Sequence, residues 1–251
     1  MTLAVLFSRK WIFATLLALV GAAACARLGV WQLDRLEQRR AFNSHYLAVR
    51  AMPPLDLNAE ADADLAALEY RAVVVRGTYD FANQVALRNQ YYNERYGYHL
   101  LTPLRLDDGR AVLVDRGWIP AEGNDAPSAW TRYDGAAPAQ VQGMIRLGET
   151  KIPLGANSDP ALVPGQARLD FWNFVNLERL AAQVPYPILP VYIQPNPDAG
   201  AAEPPIPYQP EIELTEGPHM GYALQWFAFA AILLIGYPFF VRKQMADEKR
   251  G

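Results

Sequence analysis

An imidazole, a phenol and an indole stand at i, i+3 and i+7 in His219, Tyr222 and Trp226, one face of the chain if the stretch is helical. Such a set could hold a flat, partly apolar ligand such as haem through one imidazole nitrogen. Membrane interfaces collect the same residue types, so the residues alone leave both readings open. Enzyme signatures are missing. No glycine-rich phosphate loop, G-x-S-x-G or H-E-x-x-H motif occurs, and Ser8, Ser44, Ser128 and Ser158 have no partner suggested by spacing. His45, His99, His219 and the single cysteine, Cys25, are scattered, which argues against a metal site and rules out an intrachain disulfide. The expectation is a protein without catalytic residues.

The element that must position His219 is the apolar stretch it opens. From Gly221 to Val241 no residue carries a formal charge, enough chain for a bilayer-spanning helix of roughly 20 residues. Glu203, Glu211, Glu213 and Glu216 precede it, and Arg242, Lys243, Lys249 and Arg250 follow, so the positive-inside bias puts the C-terminus in the cytoplasm. A second apolar run, Trp11 to Ala26, follows Arg9 and Lys10 and resumes past Arg27 to Trp31. It competes with a cleaved signal peptide, and Ala22-Ala23-Ala24-Cys25 even resembles a weak lipoprotein box. Its length favours an uncleaved anchor. Two crossings then export the middle of the chain. Trp31 to Phe42 continues the helix in polar form, with Trp31 and Arg35 on one side, suited to a membrane interface or to a partner's polar edge.

With 251 residues, 51% of them hydrophobic, and a net charge of −3, the chain is neither disordered nor a basic nucleic-acid binder. After Met52-Pro53-Pro54 a short helix carrying Leu65 and Leu68 is expected, then strands at Arg71–Tyr79, Gln84–Asn89, Tyr98–Leu106, Ala111–Val114, Gln140–Leu147 and Val191–Gln194. Asp108-Gly109 marks a hairpin, and Pro103 points to an edge strand or a bulge. Trp118 at a strand end reads as a core plug, Asn176 as the N-cap of a helix stopped by Pro185, and Pro195–Pro210 as a stiff tether. The expected class is α+β: two transmembrane helices flanking a mainly antiparallel β domain with one or two helices. The expected divisions are 1–10 cytoplasmic, 11–31 first span, 32–50 juxtamembrane helix, 51–195 exported domain, 196–218 tether, 219–241 second span and 242–251 cytoplasmic tail.

Four stretches resemble the surfeit-locus family of cytochrome c oxidase assembly factors: Leu28-Gly29-Val30-Trp31-Gln32-Leu33-Asp34-Arg35; Tyr70-Arg71 with Val73 to Gly77; Thr102-Pro103-Leu104 through Asp108-Gly109 to Asp115-Arg116-Gly117-Trp118-Ile119-Pro120; and His219, Tyr222, Gln225, Trp226 and Phe227. The family more often has Asn where Asp115 stands. The resemblance implies a two-span protein of an inner membrane that helps mature the catalytic subunit of haem-copper oxidase, with haem a as transient cofactor. It implies haem binding by His219, with Tyr222, Gln225 and Trp226 beside it, and makes Trp31, Gln32, Arg35, Arg116, Gly117 and Trp118 candidate docking residues for the oxidase subunit, with haem A synthase a candidate second partner. The absence of an Arg- and Ser-rich presequence points to a bacterium. The alternative within the family is a scaffold that steadies the oxidase subunit without holding haem. An unrelated membrane-anchored sensor is the remaining reading.

Overall fold

The computed structural model describes residues 3–60, 62–149, 155, 158–163, 166, 168–197 and 203–248. Much of the loop expected at 148–168, part of the 196–218 tether, and Lys249 and Arg250 therefore lie outside the described residues. In chain order the elements are α1 (Leu3–Leu6), α2 (Ile12–Arg50), β1 (Leu55–Asp56), α3 (Leu57–Glu60), β2 (Ala72–Tyr79), β3 (Val85–Tyr92), β4 (Arg95–Arg105), β5 (Ala111–Pro120), β6 (Pro138–Arg146), β7 (Phe171–Trp172), α4 (Leu177–Ala181), β8 (Ile188–Pro195), α5 (His219–Ala231) and α6 (Tyr237–Glu248). The chain divides into two units, Met1–His45 with Glu213–Gly251, and Tyr46–Ile212.

In the first unit α2 runs unbroken through both the expected span and its polar continuation, and α5 joins α6 through a π turn at Ile232–Gly236. Both helices are long and apolar enough to cross a membrane. Phe13, Leu17 and Val20 on one, and Leu224, Ile232 and Ile235 on the other, stay exposed, a burden in water and the normal state in lipid. The sheltered positions on α2 follow steps of three and four: Thr15, Ala18, Ala22, Cys25, Gly29, Gln32 and Leu36. Those on the other helix are His219, Ala223, Trp226, Ala230, Leu233 and Tyr237. This is the heptad rhythm of two packed helices, with small residues where backbones come close. The π turn adds a residue, and the seam lands on buried Val241 while Phe240 faces out. At the far end the Thr15 hydroxyl meets Tyr237 Oη at 2.8 Å and donates to the Leu6 carbonyl at 2.6 Å.

The second unit is built on one mixed sheet in the order β1-β2-β6-β8-β5-β4-β3-β7, and an added β2–β4 pairing closes β2-β6-β8-β5-β4 into a barrel. The long ladders are antiparallel. β5 and β8 pair in parallel, which the long stretch between them permits. Residues two apart on each ring strand fill the interior: Val73 and Val75, Val112 and Val114, Leu189, Val191 and Ile193. Outside, Trp172 and Leu180 cover Leu113 and Tyr192, while Trp130 covers Leu100 and Ile119. β4 is thereby buried on both faces, which explains its near-continuous apolar run. The hairpin at Asp108-Gly109, the Trp118 plug and the Asn176 cap, whose side chain accepts from Arg179 N at 3.0 Å, all form.

Two expectations change. Pro103 is not on an edge strand: it sits where the partner of β4 switches from β3 to β2. Its carbonyl accepts from Asp80 N at 2.9 Å, so its donor-less nitrogen faces that gap, and the bulge lies upstream between His99 and Leu101. The described part of the tether is docked. Ile206 exchanges both backbone hydrogen bonds with Trp118, at 2.8 and 2.9 Å, and Gln209 Nε2 donates to the carbonyls of Gln194 and Pro195.

On the strand face that Leu113 shares lies a buried pair, His99 Nδ1 with Asp115 Oδ2 at 2.9 Å. Burial alone lowers the affinity of the imidazole for its proton, but the Asp115 carboxylate, by charge and hydrogen bond, outweighs this and raises the His99 pKa above its ordinary 6.5. Its stabilising contribution is full below that ordinary value and disappears as pH rises through the folded value. Unfolding of the barrel followed by Trp fluorescence will therefore show stability falling as pH is raised from 6.5, with that slope removed in His99→Gln; equal slopes contradict the assignment. Leu104→Ala, at a fully buried position, will cost about 2–5 kcal/mol in the same assay.

Candidate functional site

In the first unit His219 meets a residue far away in sequence. Its Nδ1 lies 2.8 Å from Gln32 Oε1. An amide oxygen only accepts, so Nδ1 carries a proton in this bond, and in the neutral ring Nε2 is then the nitrogen with the lone pair. Gln32 is only 9% exposed, in a seam where low polarity strengthens the bond. Close approach of the helices makes this possible. A Cβ on Gly29, one turn before Gln32, would come within 2.7 Å of the Phe227 ring.

The stretch entering α5 is held as firmly. Arg39 Nη2 donates to the carbonyls of Glu213 at 2.7 Å and Thr215 at 3.1 Å, and Asn43 Nδ2 donates to that of Leu214 at 2.7 Å. Arg40 meets the Glu216 carboxylate through two bonds of 2.8 Å. Gly217 then turns the chain at φ +69°, a value few side chains tolerate, and the Pro218 carbonyl accepts from Tyr222 N. Three side chains of one helix thus fix the residues immediately before His219.

The sequence-predicted residues sort differently from expectation. Gln32, read as a docking residue, turns inward to His219, whereas Trp31 (44% exposed) and Arg35, bonded to Gln38, face out. Trp226 lies on the seam with His219, but Tyr222 (48% exposed) and Gln225 point away, and neither bonds to the imidazole. The common face suggested by spacing is therefore divided between the seam and the outside. Arg116, Gly117 and Trp118 are interior to the barrel domain. The Arg116 side chain is 9% exposed, lies 4.8 Å from the Phe81 ring and 5.5 Å from that of Tyr79, and donates to the Tyr133 carbonyl. Burial lowers its pKa against the opposing pull of Tyr79 and Asp134. Gly117, at φ +118°, lies beneath the backbone of Ile206 and Pro207, and Ile206 forms an isolated bridge with Trp118. Arg39, Asn43 and the His99–Asp115 pair were not anticipated. Spacing offers no signal for contacts between residues so distant in the chain.

A pair of membrane-length helices joined by an imidazole–amide bond, with a mixed β barrel encoded by the sequence that separates them, defines the class of protein. The profile of the SURF1 family matches residues 19–231, which include both Gln32 and His219, and the chain belongs to that family. It is 24% identical over 220 residues to Surfeit locus protein 1 of Takifugu rubripes, covering 81% of this chain and 87% of that protein. It is 25% identical over 224 residues to a SURF1-like protein of Rickettsia conorii, covering 87% of each. Against Surfeit locus protein 1 of Homo sapiens the identity is 25% over 222 residues, covering 81% and 69%.

The Gln32 contact has a direct readout. In histidine-labelled protein at a pH where the ring is neutral, ¹⁵N shifts will show His219 as the Nδ1–H tautomer. Gln32→Leu will move the neutral ring toward the Nε2–H tautomer that free histidine prefers. A ring unaffected by Gln32→Leu contradicts the assignment.

Proposed function

We propose that the protein is an assembly factor for haem-copper cytochrome c oxidase, holding haem a in transit from haem A synthase to the catalytic subunit. It lies in the plasma membrane of a bacterium with both termini cytoplasmic and the barrel domain outside. The carrying observation is the His219–Gln32 bond, because it commits one ring nitrogen and leaves the other able to bind a metal. The donor set fits the group. His219 Nε2 would hold the group's iron, and the group would supply the iron centre that the oxidase needs. Gln32 fixes the tautomer and plane of the ring. Arg39 and Asn43 hold the preceding backbone. Holding by one histidine would leave the group free to be passed on, and no covalent turnover is called for. The acidic residues before α5 and the basic Arg242 and Lys243 after it support the orientation.

The same bond also supports a scaffold reading, in which His219 only pins two helices together. His219→Gln separates the two, since an amide can still bond to Gln32 but is a poor haem ligand. In a strain with one aa3-type oxidase, the haem carrier predicts that His219→Gln and His219→Ala both reduce the a-type band about tenfold, with the apo-subunit retained. Full maturation with His219→Gln leaves the scaffold and contradicts haem transfer.

A further inference from the structure

The β3–β4 hairpin carries chemistry that neither the barrel core nor the His219 site uses. Its two-residue turn, Asn93–Glu94, has φ of +49° and +63°, and Asn89 has +61° within the bulge where Arg88 and Asn89 stand opposite Tyr98. Positive φ at both central residues is what a two-residue hairpin turn requires, and Asn adopts it readily, so the turn holds the hairpin in a defined register. Tyr91 and Tyr96 form a cross-strand pair with ring centroids 5.5 Å apart, 66% and 41% exposed. The bulge sets Arg88 over the Phe171 ring at 4.8 Å, and Arg95 lies 5.8 Å from the Trp118 ring. Neither guanidinium makes a hydrogen bond or ion pair among the described residues. Beside the tyrosines opens a cleft of about 670 Å³, lined by Arg88, Asn89, Tyr96, Tyr98, Phe171 and Asn173.

Tyrosine and arginine on rigid backbone are the residues that dominate protein interfaces, and guanidiniums held flat on aromatic rings offer their N–H groups to carboxylates. Arg88 serves the Tyr96 side of the hairpin and Arg95, next to Tyr92, the Trp118 side, so one occupant engaging both must be larger than a small anion. We propose that the β3–β4 hairpin is the docking surface for an acidic segment, outside the bilayer, of the protein that this chain helps to assemble. The inference rests on the function proposed above, with the oxidase catalytic subunit as that protein.

The test uses the full chain in its own membranes, with p-benzoylphenylalanine at Tyr91 and, as control, at exposed Gln142 on β6. Light will join the catalytic subunit, identified by antibody, to position 91 and not to 142. Arg88→Glu with Arg95→Glu will reduce the co-purified subunit at least tenfold, while Arg88→Lys with Arg95→Lys retains most of it and separates lost charge from misfolding. Attachment to lipid alone, or an undiminished yield after charge reversal, overturns this surface and leaves the proposed function standing. Absence of the subunit from the wild-type preparation overturns both.

Discussion

Everything specific about the helical unit depends on one neutral hydrogen bond inside an apolar seam. An imidazole there would ordinarily be a burden, since a buried polar group without a partner costs about 1–3 kcal/mol. Gln32 relieves that cost on one nitrogen and, by accepting, dictates which nitrogen it is. The small residues Ala22, Gly29, Ala223 and Ala230 let the helices approach closely enough for the bond to form. Arg39, Arg40 and Asn43 then leave His219 little freedom of entry. The consequence is a ring with a set tautomer, a set plane and a single uncommitted donor, which is what a metal ligand requires.

The barrel domain obeys a different constraint. Closing a ring of few strands leaves an interior for one layer of branched side chains, and Val, Leu and Ile at alternate positions supply it. The outer faces would then be wet and apolar, so the excursions bearing Trp130 and Trp172 fold back over them. One strand end remains, at Gly117, and the chain covers it with its own Ile206. On the β3–β4 hairpin Tyr91 and Tyr96 stay exposed.

Much of this was legible where local rules act. Alternation located the strands, Asp108-Gly109 the hairpin, Asn176 a cap and unbroken apolar stretches the two long helices. For Pro103 the bulge alternative held and the edge alternative did not, because β4 changes neighbours at that residue. The Pro-rich segment misled because composition describes stiffness and not docking. For the site, spacing grouped His219 with Tyr222 and Trp226, but packing against a second helix divides them. No periodicity connects Gln32 to His219, and only the family resemblance put both among the residues of interest. Arg116 and Trp118 share the residue types of an interface and of a sealed interior, and burial decides between them.

The most direct test of the account is the iron–histidine stretch in the resonance Raman spectrum of the purified, haem-loaded protein in its ferrous state. The account predicts a five-coordinate spectrum with that band, absent in His219→Ala and shifted in Gln32→Leu, where the ring loses the acceptor for its Nδ1 proton. A band that survives His219→Ala, or that Gln32→Leu leaves in place, would contradict it.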